Sequence, residues 1–525
     1  MAKFVNSSDS ISSSLLLWND RPTQVSIEET YDLKVWPVTN LFNEGPINFN
    51  LPPQPKGLLT DLHIVSKIKI QKDGVDIKLP QKNVSVINNL ANSLWGEVSV
   101  ICSDRTELCQ SMKNAYSYQT FFNHVLNSER NQQDYLMYNE AFLMDSGVSK
   151  KSEEKIRHFW KWDESRKSTV FDSMVFAEDA DEDEEIEKKK EAYWNAASLS
   201  ENLLVQAQRA VLVSQGLSGY ELELGLENFR SETTQNWIPT NANPAASKRS
   251  VLVNRGQSLT LNSRFQCPLL NTLKCLPTNM KIRLGLTKNT DDFMLLCADD
   301  ADYSIIIEDC YLNVTYYRVR DEILDLIEDR IKKDPIPYFI SRPDIIVRPI
   351  TQSSRIIRMT DLFTDKVPSH AFFALQRSRD FEGQKRSNPF IFVPFKKFQF
   401  YRNGTPYFTD PLEVEEIAEI DDGDYTYRGF GDYLRQLYRT LGKDTKGDCL
   451  VDSSNFHLNF MVGISFGADR SSINERHLNL QERASTYLEI DVGVENVPED
   501  LILIVYAVYD RQIKIDSNRS VQIIE

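Results

Sequence analysis

A serine set between glycines, Gly463-Ile-Ser465-Phe-Gly467, is the pattern in this chain that comes nearest to an active site. The spacing matches a nucleophile elbow, in which a sharp turn from strand into helix makes a serine hydroxyl project beside backbone amides. The preceding FHLNFMV reads as a strand, but the following ADRSSINERHLNLQ is polar and does not read as a core helix. His457 and His477 are the bases within reach in sequence, with Asp491 as a possible orienting carboxylate. The other reading of this pattern is a glycine-rich strand end. Gly429-Phe-Gly431 lacks a third glycine and the Lys-Ser of a phosphate loop. Asp291-Asp292 and Asp421-Asp422 lie in turn-like text, where aspartate is common for backbone reasons. The seven cysteines hold no CxxC pair, and Cys102 with Cys109, or Cys267 with Cys275, are too far apart for a zinc knuckle. Six scattered histidines offer no HxxxH or HExxH geometry, and there is no DxDxDG calcium loop. The expectation is therefore no catalytic, cofactor-binding or metal-binding residues, no cofactor, and buried, reduced thiols in an intracellular compartment.

Bulk composition agrees. A chain of 525 residues exceeds what one core usually serves, so two domains are expected. The formal charge of −16 argues against a surface that grips nucleic acid, which needs clustered Lys and Arg. Lys385-Arg386 and Lys396-Lys397 are isolated pairs and form no such stripe. Part of the acidity is local, since residues 178–191 hold nine acidic side chains against three lysines, which reads as a solvated face. The longest apolar run near the start, Leu15-Leu16-Leu17-Trp18, is far short of a membrane span of roughly 18 residues, and no secretory signal is evident. Sequons such as Asn83-Val84-Ser85 are accordingly expected to stay unmodified.

The elements that would position any site are mostly extended. DLKVWPV, PINFNLP, DLHIVSKIKIQKDG and SLWGEVSVICSD are divided by Pro and Gly, and Asp73-Gly74 is a hairpin signal. Residues 130–215 break this pattern as an excursion whose AYWNAASLSENLLVQAQRAVLV (192–213) has helical spacing. Strand-like text resumes at SVLVNRGQSLTLNSRF (250–265) and IIIEDCYLNVTYYRV (305–319). RDEILDLIEDRIKKD (320–334), halted by Pro335 and Pro337, reads as a helical connector. IIVRPI, RIIRMTDLF, HAFFALQ, PFIFVPFKKFQFYRNG and FHLNFMVGISFG then read as strands.

The chain also repeats itself. VSVICSDRTEL followed by AYSYQTFFNHVL (115–126) parallels FQFYRNGTPYF followed by DYTYRGFGDYLRQLY (424–438). Tyr116, Tyr118, Phe121 and Val125 align with Tyr425, Tyr427, Phe430 and Leu434, each Tyr-x-Tyr opening a helix-like stretch. MKIRLGLTKNTDDFMLL (280–296) and YLEIDVGVENVPEDLILIVYAVYD (487–510) both read as strand, turn, strand. A repeat of this length implies two copies of one β domain, each with room for about eight strands. The expected class is all-β, a sandwich or barrel in tandem. The domains are an N-terminal arm (1–23), a first unit (24–319, with an excursion at about 130–245), a helical connector (320–335) and a second unit (336–525).

Read in order, several segments resemble the major capsid proteins of the Polinton/Maverick and adintovirus group. They are RPTQVSIEETYDLKVWPVTNLFNEGPINFNLP (21–52), INNLANSLWGEVSV (87–100) with NAYSYQTFFNHVLN (114–127), and residues 249–296. YFISRPDIIVRPI (338–350), SNPFIFVPFKKFQFYRNGTP (387–406) and residues 478–521 continue the series. Two departures stand out: Ser341-Arg342-Pro343 replaces paired arginines, and the excursion is long and acidic. The resemblance implies a double jelly-roll, two eight-stranded antiparallel sandwiches. It implies a homotrimer approximating a hexagon, which tiles an icosahedral shell with neighbouring capsomers and penton or minor capsid proteins. Location in a virion, no sequence-specific nucleic-acid binding and no enzymatic activity are implied as well. The competing readings from the residues are a two-domain jelly-roll hydrolase using Ser465 or a carboxylate pair, and a glycan-binding β-sandwich.

Overall fold

In a computed structural model, residues 24–145 and 244–524 are described, apart from short stretches of which 78–83, 420–424, 468–481 and 493–499 are the longest. The acidic run and the helical pattern at 192–213 lie outside the described residues, as do His457, His477, Asp421 and Asp422.

Eight strands of the first half make up two antiparallel sheets of four. They are β1 (Ile27–Val35), β2 (Ile47–Asn50), β3 (Gly57–Lys72), β4 (Trp95–Cys102), β5 (Thr106–Glu107), β6 (Leu259–Arg264), β7 (Ile282–Lys288) and β8 (Tyr303–Val319). One sheet runs β1-β8-β3-β6, extended on β3 by the two-residue strand Val75–Asp76, and the other runs β2-β7-β4-β5. The second half repeats the set as β9 (Ile336–Ile350), β10 (Ile356–Thr360), β11 (His370–Arg377), β12 (Lys397–Arg402), β13 (Thr405–Pro406), β14 (Val462–Ser465), β15 (Thr486–Asp491) and β16 (Leu501–Ile515). Its sheets run β9-β16-β11-β14 and β10-β15-β12-β13. The second order is the first with eight added to each strand. Apart from the β4-β5 and β12-β13 hairpins, sequential strands alternate between the sheets, as in a jelly roll.

Alternation supplies the cores. Along β3, Leu62, Ile64, Ile68 and Ile70 point inward while His63, Lys67 and Lys69 face out. In the second roll Phe373 meets Phe398 and Phe400 across the sandwich, at ring distances of 5.5 and 5.8 Å. Tight turns close the hairpins. Asp73-Gly74 and Asn403-Gly404 both sit at positive φ between paired residues, the two-residue geometry that matches strand twist.

Among the described residues, five helices of eight or more residues accompany the sheets: α1 (Ala115–Asn127), α2 (Gln133–Glu140), α3 (Pro244–Val253), α4 (Asp321–Lys333) and α5 (Gly431–Thr440). α4 links β8 to β9. Three readings from sequence need correction. Tyr425–Tyr427 is a short strand paired with Ile417–Glu419, and the second helix opens only at Gly431. SVLV at 250–253 is the last turn of α3, which starts at Pro244, a residue suited to a first helical turn. The second strand of MKIRLGLTKNTDDFMLL is a minor one, Leu295–Cys297 paired with Val84–Val86, and the strand equivalent to β16 is β8.

Candidate functional site

Ser465 is the last residue of β14, inside a sheet, and is 2% exposed. Its Oγ has no hydrogen-bond partner among the described residues. Pairing continues past it, since Phe466 N donates to Ser369 O at 2.8 Å, so the chain does not make the elbow that would expose the hydroxyl. Its cross-strand neighbour is His370, whose buried imidazole is pulled down to about 4 by desolvation. That ring lies 3.4 Å from Ser369 Oγ. Asp491 belongs to the opposite sheet, where it holds Arg355 at 3.0 Å. Asp291 accepts from Ile305 N and Lys288 Nζ, a structural role at a turn. Lys397 pairs with Glu413 at 3.0 Å. Cys102, Cys267, Cys297, Cys310 and Cys449 are buried thiols and Cys275 is half-buried; Cys109 lies outside the described residues. Among the described residues no His, Cys, Asp and Glu cluster could hold a metal ion, and no helix is long and apolar enough to cross a membrane.

Polar and aromatic side chains converge instead on the seam between the rolls. α1 is buried on all sides, unlike a surface helix with one apolar stripe. Asn114 opens it in the left-handed region (φ 63°), where asparagine is tolerated, and its amide N donates to Gly96 O at 2.7 Å. One side of α1 faces its own roll. Tyr116 stacks on Phe265 at 5.7 Å and its hydroxyl accepts from Gln266 N at 3.2 Å. The other side lies on the outer face of β9-β16-β11. Phe121 stacks flat on Phe390 at 4.3 Å, and Phe122 sits on Phe392 and Tyr506 at 5.4 and 5.2 Å. Tyr506 shares a cross-strand row with Ile345 and Phe372. The Tyr118 hydroxyl lies 3.0 Å from Gln376 Oε1 and 3.1 Å from Pro389 O, so it donates to the second roll. Burial lifts the Tyr118 and Tyr506 phenols well above their ordinary range, and both remain neutral.

The second roll also satisfies the end of α1. Leu450 N donates to Val125 O at 3.0 Å and Lys443 Nζ to Leu126 O at 2.9 Å, so carbonyls orphaned at a helix C-terminus find partners across the seam. Beside α1, Arg249 of α3 is fully buried. It donates to Asp145 at 2.7 Å, and Asp145 in turn accepts from Asn388 of the second roll at 3.0 Å. A buried pair of this kind stands only because each lone pair and proton is used. Below α4, Arg519 donates to Thr278 O and Glu328, and that contact lowers the Glu328 carboxyl. Gly383 closes the approach, since at φ +72° an added Cβ would sit 2.6 Å from the Phe293 backbone.

No family model matches the chain, and no curated protein matches its sequence. Solved structures do match. A chain of the Sputnik virophage, from a 3.5 Å cryo-EM structure, aligns with TM-score 0.50 and 11% identity over 100% of this chain and 94% of that one. The mavirus major capsid protein aligns with TM-score 0.45 and 11% identity, covering 100% and 96%. The Faustovirus major capsid protein aligns with TM-score 0.49 and 9% identity, covering 95% and 92%. The fold is a double jelly-roll. The Sputnik alignment spans all of this chain, both rolls included.

Proposed function

We propose that this chain is a major capsid protein of the Polinton/Maverick and adintovirus kind, resident in a virion. Three copies associate as a pseudo-hexameric tile, and tiles join neighbouring capsomers and penton or minor capsid proteins in an icosahedral shell. The observation that carries the reading is the repetition of one jelly roll, strand for strand, within one chain. Two similar wedges per chain let threefold closure approximate a hexagon, and hexagons tile. The full-length likeness to a Sputnik virophage chain supports it, and so does the placement of Ser465, which removes the main residue of the hydrolase reading.

The domain bounds proposed with it are an arm at 1–23, a first roll at 24–319, a connector at 320–335 and a second roll at 336–525. Light scattering coupled to size exclusion tests the tile. The expected mass is about 182 kDa, three times the 60.6 kDa chain, with hexagonal tiles in negative stain. A folded species near 61 kDa that persists at high concentration overturns the reading.

A further inference from the structure

The seam inside the chain joins two different surfaces, a helix of the first roll and an outer sheet face of the second. Such a contact is heterologous, and repeating it generates a ring or an open chain of rolls. Each copy carries the same two kinds of surface a second time, and there both are uncovered among the described residues.

The helix is α5. Tyr433 faces its own roll as Tyr116 does, its hydroxyl donating to Leu412 O at 2.8 Å and its ring 5.9 Å from Phe395. Matching Tyr433 to Tyr116 sets Leu437 against Thr120 and Leu441 against His124, all buried. It also sets Arg435 and Arg439 against Tyr118 and Phe122, the two residues with which α1 grips the second roll. Arg435 and Arg439 are exposed, and neither guanidinium has a hydrogen bond or ion pair among the described residues.

The sheet face is the outer side of β1-β8-β3-β6. Cross-strand pairing places Asp32, Thr315 and Asp61 in one row, and Lys34, Asn313, His63 and Arg264 in the next. Trp36, 55% exposed, lies with its ring 5.2 Å from Tyr311. The equivalent face of the second roll holds Phe372 and Tyr506, both buried, with Tyr506 under the Phe122 ring of α1.

We propose that α5 of one copy docks on this face of the next, extending the intramolecular seam between chains; the inference rests on the capsid-tile reading. Arg435 and Arg439 reach the Asp32 and Asp61 carboxylates and lie against the Trp36 and Tyr311 rings. A guanidinium suits that mixed face, since it bonds carboxylates through a planar fork and stacks on aromatic rings. Among the described residues Asp32 accepts from Thr315 Oγ1 alone, at 2.6 Å; Asp61 accepts from Arg264 and Leu62 N at Oδ1 and pairs with His63 Nε2 at 3.5 Å through Oδ2, so each carboxylate still has lone pairs free. Lys34 and Arg264 flank the two acids and fix the register at which the arginines fit. Six such steps close when each turns by about 60°, which is three chains.

The test is charge reversal read by light scattering. Arg435→Glu with Arg439→Glu should leave the far-UV spectrum and a cooperative melt intact, remove any concentration dependence of the melting temperature, and move the mass from about 182 to about 61 kDa, three copies to one of 60.6 kDa. Adding Asp32→Arg and Asp61→Arg to that chain should restore the larger mass. A wild type that is trimeric together with a reversal variant that stays trimeric overturns this docking and leaves the tile standing. A monomeric wild type sinks both. If the reversal chain does not fold, Lys34→Cys with Arg435→Cys in an otherwise native chain replaces it. Oxidative linkage between copies, beyond the native-cysteine background, supports the docking, and its absence in a trimer refutes it.

Discussion

Truncating Phe122 to alanine should weaken the whole chain, because its ring is the centre of the seam. The side chain is fully buried and stacks on Phe392 and Tyr506 of the other roll. Removing a buried phenylalanine costs about 3–5 kcal/mol through lost transfer energy and the cavity left behind. The thermal consequence depends on what unfolds together. At about 2.1 cal/mol/K per residue, a unit of 525 residues has an unfolding entropy of roughly 1.1 kcal/mol/K, so the melting temperature should fall by roughly 3–5 °C. If the second roll melted alone, about 190 residues would give roughly 0.4 kcal/mol/K and a drop of roughly 8–12 °C in one of two transitions. Scanning calorimetry separates these outcomes. A single endotherm moved by the smaller amount is expected, since one continuous core runs through both rolls. The control is Tyr138→Ala, at a ring that is 70% exposed, where a change within about 0.5 kcal/mol is the norm. Indistinguishable scans for the two variants would refute the claim that α1 joins the rolls energetically.

Two further outcomes bear on Ser465 and on His370, its cross-strand neighbour. Ser465→Ala should leave stability unchanged or raise it slightly, because it removes a buried hydroxyl that has no partner among the described residues, and wild type should resist a serine-reactive phosphonate; stoichiometric labelling at Ser465 would revive the hydrolase. His370 should make folding acid-sensitive. Its folded pKa of about 4 lies below the 6.5 of a free imidazole, so the unfolded chain binds the proton first. Stability is then full above pH 6.5 and falls as pH drops toward 4, by about 3 kcal/mol in total. His63, raised first by its hydrogen bond to Asp61, acts in the opposite sense and loses its contribution as pH rises. Denaturant midpoints of wild type and His370→Asn from about pH 7 to about pH 4 isolate the effect, and parallel profiles would refute it.

Local signals were the most readable part of the fold. Asp73-Gly74 fixes a turn within a few residues, so that hairpin is placed directly; Asn403-Gly404 makes the same turn in the second roll. The doubled architecture was visible because β7 and β15 recur with similar alternation, and α1 and α5 with similar aromatic content. The misreadings have physical causes. A Tyr-x-Tyr step suits a strand as well as a helix, so Tyr425 and Tyr427 could not fix where α5 starts. The Gly-x-Ser-x-Gly spacing says nothing about whether a helix follows, and Ser465 is held in a ladder by pairing with residues nearly a hundred positions away. The seam was legible only as an anomaly: AYSYQTFFNHVL has large side chains on every side, which a helix on one sheet would not need. Which surface takes the second side is a tertiary fact. Arg249, Asp145 and Asn388 are distant in sequence and ordinary in type, and no spacing brings them together.

The most instructive miss is β9, of which only IIVRPI reads as a strand in the sequence, while Pro335 and Pro337 read as the stop of the helix before it. The structure pairs all of Ile336–Ile350 with β16 and shows no register shift. Pro337, Pro343 and Pro349 occupy positions of one parity, and residues of one parity turn their N–H sites to the same side of a strand. Proline has no N–H, so these three face away from β16, along the open edge of the sheet. An incoming strand would find donors missing at all three. β1, the edge of the equivalent sheet, is guarded differently, by Glu28, Glu29, Asp32 and Lys34 and by a register shift between Ile27 and Glu29. On the tile reading proposed above, many copies meet at high local concentration, and strand addition at an edge is indifferent to which copy supplies the strand. Blocking both edges removes that competitor. On that same reading, contact between copies is left to helix on sheet face, the geometry the chain uses within itself, where side chains rather than backbone decide the match.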